Sequence, residues 1–131
     1  MASIRKELLV SADAAAVWDA VRDVGAVHQR LAHGFVVDTV LDGDARVVTF
    51  SNQMVVRELI VSVDDESRRL VYAATGGRTT HHNASIEVAE VAPGQARLTW
   101  ITDLLPDAVA PAIAGLMDQG CLAMRRTLDA T

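Results

Sequence analysis

Residues 106–130 read PDAVAPAIAGLMDQGCLAMRRTLDA, a pattern typical of one long amphipathic helix. At about 100° per residue, the apolar and small side chains recur on one side, which carries Val109, Ile113, Leu116, Met117, Gly120, Cys121, Met124 and Leu128. The polar side carries Asp118, Gln119, Arg125, Arg126 and Asp129. Leu122 also falls on this polar side and indicates a minor contact or a dimer patch. The spacing therefore predicts a helix over 107–129 with one face to bury.

The part of the chain before this helix, from residue 35 to residue 105, has the pattern of short β-strands. Turn signals rich in Asp, Asn, Ser and Gly separate β-branched segments, which read FVVDTVL, ARVVTF, MVVRELIVSV, RRLVYAA, HNASIEVAEV and ARLTWITDLL. The connections are too short to hold crossover helices, so we expect the strands to form an antiparallel meander.

The N-terminal part of the chain predicts one more strand and two short helices. SIRKELLV, residues 3–10, has the pattern of a first strand, and Ser11 follows it as a predicted N-cap. DAAAVWDAVRDV then predicts a first short helix and AVHQRLA a second. One sheet with a face to cover and one helix with a face to bury are expected to pack together. The pattern predicts a single α+β domain over residues 1–131.

Composition narrows the class of protein. The 131 residues carry a formal net charge of −5 without a basic stripe, which argues against nucleic-acid binding. The single cysteine, Cys121, excludes an internal disulfide and a zinc site built from cysteines. The N-terminus lacks the apolar core of a signal peptide, and no apolar run reaches the roughly 18 residues of a membrane span. We therefore expect a cytoplasmic protein.

The order and spacing of several segments resemble the START-like superfamily, also called SRPBCC. The segments are SADAAAVWDAVRDV, VVRELIVSVDDESRRLVYAA, HHNASIEV, ARLTWITDL and AIAGLMDQGCLAMRRTLDA. They look most like the polyketide cyclase/dehydrase-like branch of small bacterial members. The resemblance implies a helix-grip fold, in which a curved seven-stranded antiparallel sheet wraps around a long C-terminal helix. It also implies a hydrophobic cavity between sheet and helix.

Two adjacent histidines are candidate site residues on one predicted strand. Side chains alternate faces along a strand, so His81 and His82 point to opposite sides and cannot share one metal ion. His82 falls in register with Ala84, Ile86 and Val88, which predicts that it points inward. Two interpretations stay open for His82, either a hydrogen-bonded structural histidine or an acid/base group in an apolar pocket.

Arg57 and Glu58 are adjacent on another predicted strand, so one of them points inward and needs a partner. Packing favours Arg57 as the inward residue, because it alternates with Val55, Leu59 and Val61. Either residue could anchor or polarise a carbonyl group of a bound molecule. The alternative is an ion pair on the sheet surface.

Gly120 lies in the middle of the apolar helix stripe, beside Met117, Cys121 and Met124. Glycine inside a helix costs about 1 kcal/mol relative to alanine, so its presence needs a reason. One interpretation is a gap that accommodates apolar guests, and the other is close approach of the helix to a bulky strand residue such as Trp100. Cys121 has no identifiable base beside it, which favours a buried thiol over a nucleophile.

The sequence thus favours a protein that binds a small hydrophobic molecule, lipid-like or polyketide-like. We expect the cavity to be lined by Tyr72, His82, Trp100, Val109, Ile113, Met117, Gly120, Cys121 and Met124. The alternative is an enzyme of the polyketide cyclase/dehydrase type, with His82 transferring protons and Glu58 or Arg57 polarising a carbonyl. GxxxxGK[ST], GxGxxG, GxSxG and HExxH motifs do not occur, so we predict neither a cofactor nor a metal. The expected assembly is a monomer or a homodimer.

Overall fold

A computed structural model describes residues 2–130 of the chain. It contains seven strands and two α-helices, which are β1 (Ala2–Val10), α1 (Ala14–Arg22), β2 (Val36–Asp42), β3 (Ala45–Phe50), β4 (Val55–Asp64), β5 (Arg69–Thr75), β6 (His81–Ala92), β7 (Gln95–Leu105) and α2 (Ala110–Asp129). A π-helical turn, Val27–Leu31, follows α1, and a 3₁₀ turn, Asp107–Val109, precedes α2. The order of elements is the one that the sequence predicted.

All seven strands form one antiparallel sheet in the order β1-β7-β6-β5-β4-β3-β2. The strands from β2 to β7 form the predicted meander, and the last strand, β7, also pairs with the first strand, β1. The register shifts between Val36 and Asp38, between Ile60 and Ser62, and between Glu90 and Ala92. Such bulges bend the strands and increase their twist, which helps the sheet to curve.

Helix α2 covers the inner face of this sheet. Its buried residues are Met117, Gly120, Ala123, Met124 and Leu128, all from the predicted apolar stripe or beside it. Leu8, Val10, Leu70, Val88 and Leu98 supply buried side chains from the strands. The arrangement is the helix-grip fold, as predicted. No helix among residues 2–130 is long and apolar enough to cross a membrane.

The start of α1 differs from the prediction in one respect. The helix begins at Ala14, and Asp13 occupies the capping position in place of Ser11. The Asp13 carboxylate accepts a hydrogen bond at 2.8 Å from the backbone N–H of Gly94, in the turn between β6 and β7. The backbone N–H of Ser11 donates to Asp129 at the end of α2. The prediction of Ser11 as the N-cap was wrong, since Asp13 has the extended backbone of the capping residue and the helix starts after it.

Candidate ligand-binding site

A cavity of about 90 Å³ lies between the N-terminal half of α2 and the inner face of the sheet. We call it the outer chamber, because its rim consists of exposed and half-buried residues in the turns 51–54 and 76–79. Its lining is mostly apolar with a few polar groups, and comprises Phe50, Asn52, Met54, Val56, Glu58, Tyr72, Gly76, Gly77, Arg78, Thr79, His82, Trp100, Thr102, Ile113, Leu116 and Met117.

A second cavity of about 50 Å³ lies further along α2, among residues that are mostly buried. We call it the inner chamber. It is lined by Val27, Leu31, Ala32, Phe35, Val36, Arg46, Val48, Phe50, Glu58, Tyr72, Ile86, Trp100, Gly120 and Met124. Phe50, Glu58, Tyr72 and Trp100 line both chambers and therefore form a common wall between them.

A buried ion pair joins Glu58 of this common wall to Arg46 of the inner chamber. Arg46 on β3 lies directly opposite Glu58 on β4, and its Nε donates to Glu58 Oε1 at 2.8 Å. The side chains are only 3% and 10% exposed. The Arg46 guanidinium also lies 5.1 Å from the centre of the Tyr72 ring, within the range of a cation–π contact. The two opposite charges thus compensate each other in an otherwise apolar environment.

The structure shows which of the two adjacent charged residues on β4 points inward. Glu58 is buried against the chambers, whereas Arg57 lies on the outer face, where its Nε donates to Asp42 at 3.2 Å. The prediction that Arg57 points inward was wrong. Its apolar neighbours in the alternation, such as Leu59, are themselves exposed on the outer face, and the partner of the inward charge comes from another strand.

Two hydroxyl groups add polar character to the outer chamber. Tyr72 Oη accepts a hydrogen bond at 3.0 Å from Trp100 Nε1. Burial, together with the nearby Glu58 carboxylate, raises the pKa of Tyr72 above its ordinary value, so the phenol stays protonated. Thr102 Oγ1 is buried and has no hydrogen-bond partner among residues 2–130. A bound molecule with a polar group could satisfy this hydroxyl.

His82 lines the outer chamber, whereas His81 is exposed on the other face of the sheet. Burial is the main cause that lowers the pKa of His82, and the charge of His81 contributes. His82 is therefore a neutral imidazole at pH 7. On the outer face, the His81 ring shares a 2.7 Å hydrogen bond with the Asn83 side chain, which donates to Asp103. Among residues 2–130, no three His, Cys, Asp or Glu side chains are placed to hold a metal ion.

Of the six site residues predicted on α2 and the turn before it, four reach the chambers and two do not. Ile113 and Met117 line the outer chamber, and Gly120 and Met124 line the inner one. Val109 is buried in the 3₁₀ turn but lines neither chamber. Cys121 is half-buried beside the core, and burial and then Asp118 raise the pKa of its thiol. The assignment of Val109 and Cys121 to the lining is corrected, since a helical wheel gives the side of a residue but not its depth.

Gly120 permits a close contact between α2 and the sheet. A Cβ at this position would lie 2.9 Å from Trp100 Cζ3 and 3.2 Å from Phe35 Cε2. Distances under 3.0 Å are too short for a real Cβ contact. Close approach to Trp100 therefore explains the glycine, rather than an empty gap for a guest.

The sequence interpretation missed most of the lining that the strands and turns contribute. Arg46 is one of these residues, and it alternates with Val48 and Phe50 on one face of β3. That pattern is a signal for an inward charge that needs a partner. Met54 and Thr79 come from separate turns, and only the three-dimensional fold shows that both lie near the chamber.

Residues 1–129 match the model of one protein family, described as polyketide cyclase/dehydrase and lipid transport. The chain belongs to this family. The match confirms the resemblance to the polyketide cyclase/dehydrase-like branch of the START-like proteins, and a solved START superfamily protein shares the fold. No curated protein sequence matches the chain.

Solved structures share the fold of this chain at low sequence identity. A protein from Bacillus thuringiensis is 15% identical with a TM-score of 0.86, covering 97% of this chain and 98% of that one. Norcoclaurine synthase from Thalictrum flavum is 22% identical with a TM-score of 0.74, covering 97% and 93%. A START superfamily protein from Mycobacterium smegmatis is 12% identical with a TM-score of 0.72, covering 98% and 94%. At these identities the similarity shows the fold alone.

Proposed function

We propose that this protein binds a small hydrophobic molecule, lipid-like or polyketide-like, in the outer chamber between the sheet and α2. The observation that carries the proposal is a largely apolar cavity with a few polar groups in its lining. Such a combination is typical of small-molecule sites, where apolar walls supply affinity and a few polar atoms fix the orientation.

The electrostatics of the chamber favour an uncharged ligand. The Glu58 carboxylate uses Oε1 to accept from Arg46, and the Arg46 charge is thereby compensated. Tyr72 is a protonated phenol and His82 a neutral imidazole at pH 7. These groups can hydrogen-bond to a hydroxyl or carbonyl group, but none offers a free positive charge to a carboxylate. The Arg78 guanidinium also belongs to the lining, but it is exposed at the rim, where solvent screens its charge.

The size of the chamber sets a limit on the part of the ligand that is enclosed. A dry cavity of about 150 Å³ accepts benzene in another protein, and the outer chamber has about 90 Å³. A ligand larger than a few heavy atoms must therefore extend toward the rim at 51–54 and 76–79, or the walls must move apart. Met54 and Met117 are flexible side chains that can adjust to different shapes.

A thermal-shift experiment tests this proposal directly. The melting temperature is measured with uncharged aromatic alcohols, alkylphenols and polyketide-like phenols, each compared with its carboxylate analogue. A ligand that binds only the folded state stabilises it by about 2.7 kcal/mol at a hundredfold excess over its Kd. We expect uncharged compounds to raise the melting temperature and the carboxylates to have little effect.

Two variants on α2 provide matched controls. Ile113→Trp places a large ring in the outer chamber and should abolish the shift, because Ile113 lines it. Leu122→Trp places the same ring on an exposed position and should leave the shift unchanged. Equal shifts in both variants would show that the compounds bind elsewhere.

A second candidate function is proton-transfer catalysis on a polycarbonyl or aromatic substrate. The observation that favours it is that Glu58 and His82, both able to transfer protons, line the same chamber. The Thr102 and Tyr72 hydroxyls could hydrogen-bond to a substrate carbonyl. Arg57 has no part in this mechanism, because it lies on the outer face.

Turnover assays on ligands found by the thermal-shift screen would test the enzymatic alternative. Replacement of His82 by alanine or of Glu58 by glutamine should abolish turnover while the ligand still raises the melting temperature. Unchanged rates in both variants would leave binding as the function. The predicted cytoplasmic location and the monomeric or homodimeric state belong to the same proposal, and cell fractionation and native mass measurement would test them.

A further inference from the structure

The indole ring of Trp100 crosses the space between α2 and the sheet. On the helix side, the six-membered ring lies against Gly120, where a Cβ would be only 2.9 Å from Cζ3. On the sheet side, Nε1 donates to Tyr72 Oη at 3.0 Å. The ring is thus held at both ends, by the helix backbone at one end and by a buried phenol at the other.

This position makes Trp100 the central part of the common wall. Trp100 lines both the outer and the inner chamber, and Tyr72, Glu58 and Phe50 complete the wall around it. The remaining inner-chamber lining is largely aliphatic and buried, including Val48, and could accept an apolar chain. The indole therefore separates two apolar spaces that would otherwise join.

The geometry points to Trp100 as the residue that limits how deeply a ligand enters, and so selects short hydrophobic molecules over long ones. The inference rests on the proposed binding function. A ligand enters at the rim, fills the outer chamber and meets the face of the indole. Gly120 and Tyr72 act as positioning residues, since they hold the ring across the space.

A homologous series of ligands measures this limit. We would titrate the full chain with para-ethylphenol, para-butylphenol, para-hexylphenol and para-octylphenol by isothermal titration calorimetry. Each methylene that becomes buried should lower Kd by about fourfold. In the natural protein we expect the gain to stop once the chain reaches Trp100.

The test variant is Trp100→Leu, which removes the ring and joins the chambers. We expect the gain in affinity to continue for at least two more methylenes, so that the longest phenols bind more than about tenfold tighter than to the natural protein. Leu116→Ala is the matched control, because Leu116 lines the outer chamber alone. It should shift all affinities but leave the limiting chain length unchanged.

Three results would overturn the inference. These are an unchanged limiting length in Trp100→Leu, an equal extension in Leu116→Ala, and binding of the phenols by neither the natural protein nor Trp100→Leu. The last result would also reject the proposed function for this ligand class. Binding by Trp100→Leu alone would support the separation of the chambers while rejecting the proposed function of the natural protein for these ligands.

A fluorescence measurement covers the case in which Trp100→Leu does not fold. The chain has two tryptophans, and Trp18 lies on α1, where its Nε1 donates to Asp65 away from both chambers. In a Trp18→Phe protein the emission therefore reports on Trp100. We expect saturating phenols to change this emission, and the change to level off at the same chain length as Kd. Emission that stays constant at saturation would show that the ligand does not reach the indole.

Discussion

Two ion pairs at adjacent positions of β4 lie in opposite environments. Arg46 and Glu58 are buried beside the chambers, whereas Arg57 and Asp42 are 48% and 62% exposed on the outer face. Removing one partner of a buried pair leaves an uncompensated charge, which typically costs about 3–5 kcal/mol. An exposed pair contributes only about 0–1 kcal/mol. We therefore expect Glu58→Leu to lower the free energy of unfolding far more than Asp42→Ala.

Urea denaturation of the two single variants and one double variant checks this expectation. The double variant Arg46→Met/Glu58→Leu should recover most of the stability lost in Glu58→Leu, because it leaves no buried charge. If it were as unstable as the single variant, the pair would contribute through packing and not through charge. Retained stability with lost ligand binding in the double variant would identify the pair as a functional feature.

His82 is expected to make stability depend on pH near neutrality. Burial lowers its pKa in the folded state, so the unfolded chain binds a proton more readily. The contribution of the neutral His82 to the free energy of unfolding is fully present above the unfolded pKa of about 6.5. It is lost as the pH falls toward the lower pKa of the folded state. We expect the urea midpoint to fall between about pH 7 and about pH 5, and to fall less in His82→Gln. His81→Gln, on the exposed face, is the control and should keep most of the fall, because burial is the main cause that lowers the pKa of His82.

These residues also show how far the alternation of side chains along a strand predicts which of them point inward. It correctly placed His82 inward and His81 outward, because the strand runs without a bulge from there to Val88. It favoured Arg57 over Glu58 as the inward residue of β4 and was wrong there, since both faces of β4 carry apolar residues. The deciding factor was Arg46 on the neighbouring strand, and a pairing between strands is not visible in the pattern of one strand.

Helix α2 contains two glycines in contrasting surroundings. A Cβ on Gly115 would meet nothing within 4 Å, whereas a Cβ on Gly120 would lie 2.9 Å from the Trp100 ring. Alanine gains up to about 1 kcal/mol over glycine in a helix, but forcing an extra group into a packed core costs about 1–3 kcal/mol. We predict that Gly115→Ala stabilises the protein and that Gly120→Ala destabilises it. Thermal and urea unfolding measure both, and equal stabilisation would show that the Trp100 ring moves aside at little cost.

The sequence predicted the existence and the buried side of α2 from its own periodicity, which is a local property. It did not predict which buried residues face a cavity. Met117 and Met124 reach the chambers, while Cys121 on the same stripe does not. The difference depends on the tilt of the helix and on the size of the opposing side chains, and both are set by the strands.

The molecule as a whole has a closed end and an open end along α2. Near Leu128 and Ala123 the helix packs against a filled core. Near Ile113 and Leu116 the same helix covers the outer chamber and its rim. The sheet order followed from local strand and turn signals, but the open end arises from two turns that are distant in sequence. For this reason the fold could be predicted more completely than the site.

Because one end of α2 is closed and the other is open, replacing a leucine by alanine should lower stability by different amounts at the two ends. Leu128 is fully buried, so Leu128→Ala should cost about 2–5 kcal/mol, as measured by urea denaturation. Leu116 is half-exposed beside the chamber, so Leu116→Ala should cost less than half as much. A ligand of the outer chamber should raise the melting temperature of Leu128→Ala as much as that of the natural protein, but that of Leu116→Ala less, because Leu116 forms part of the wall. Equal loss of stability at both positions would mean that the chamber closes in solution. An undiminished ligand effect in Leu116→Ala would mean that binding occurs elsewhere.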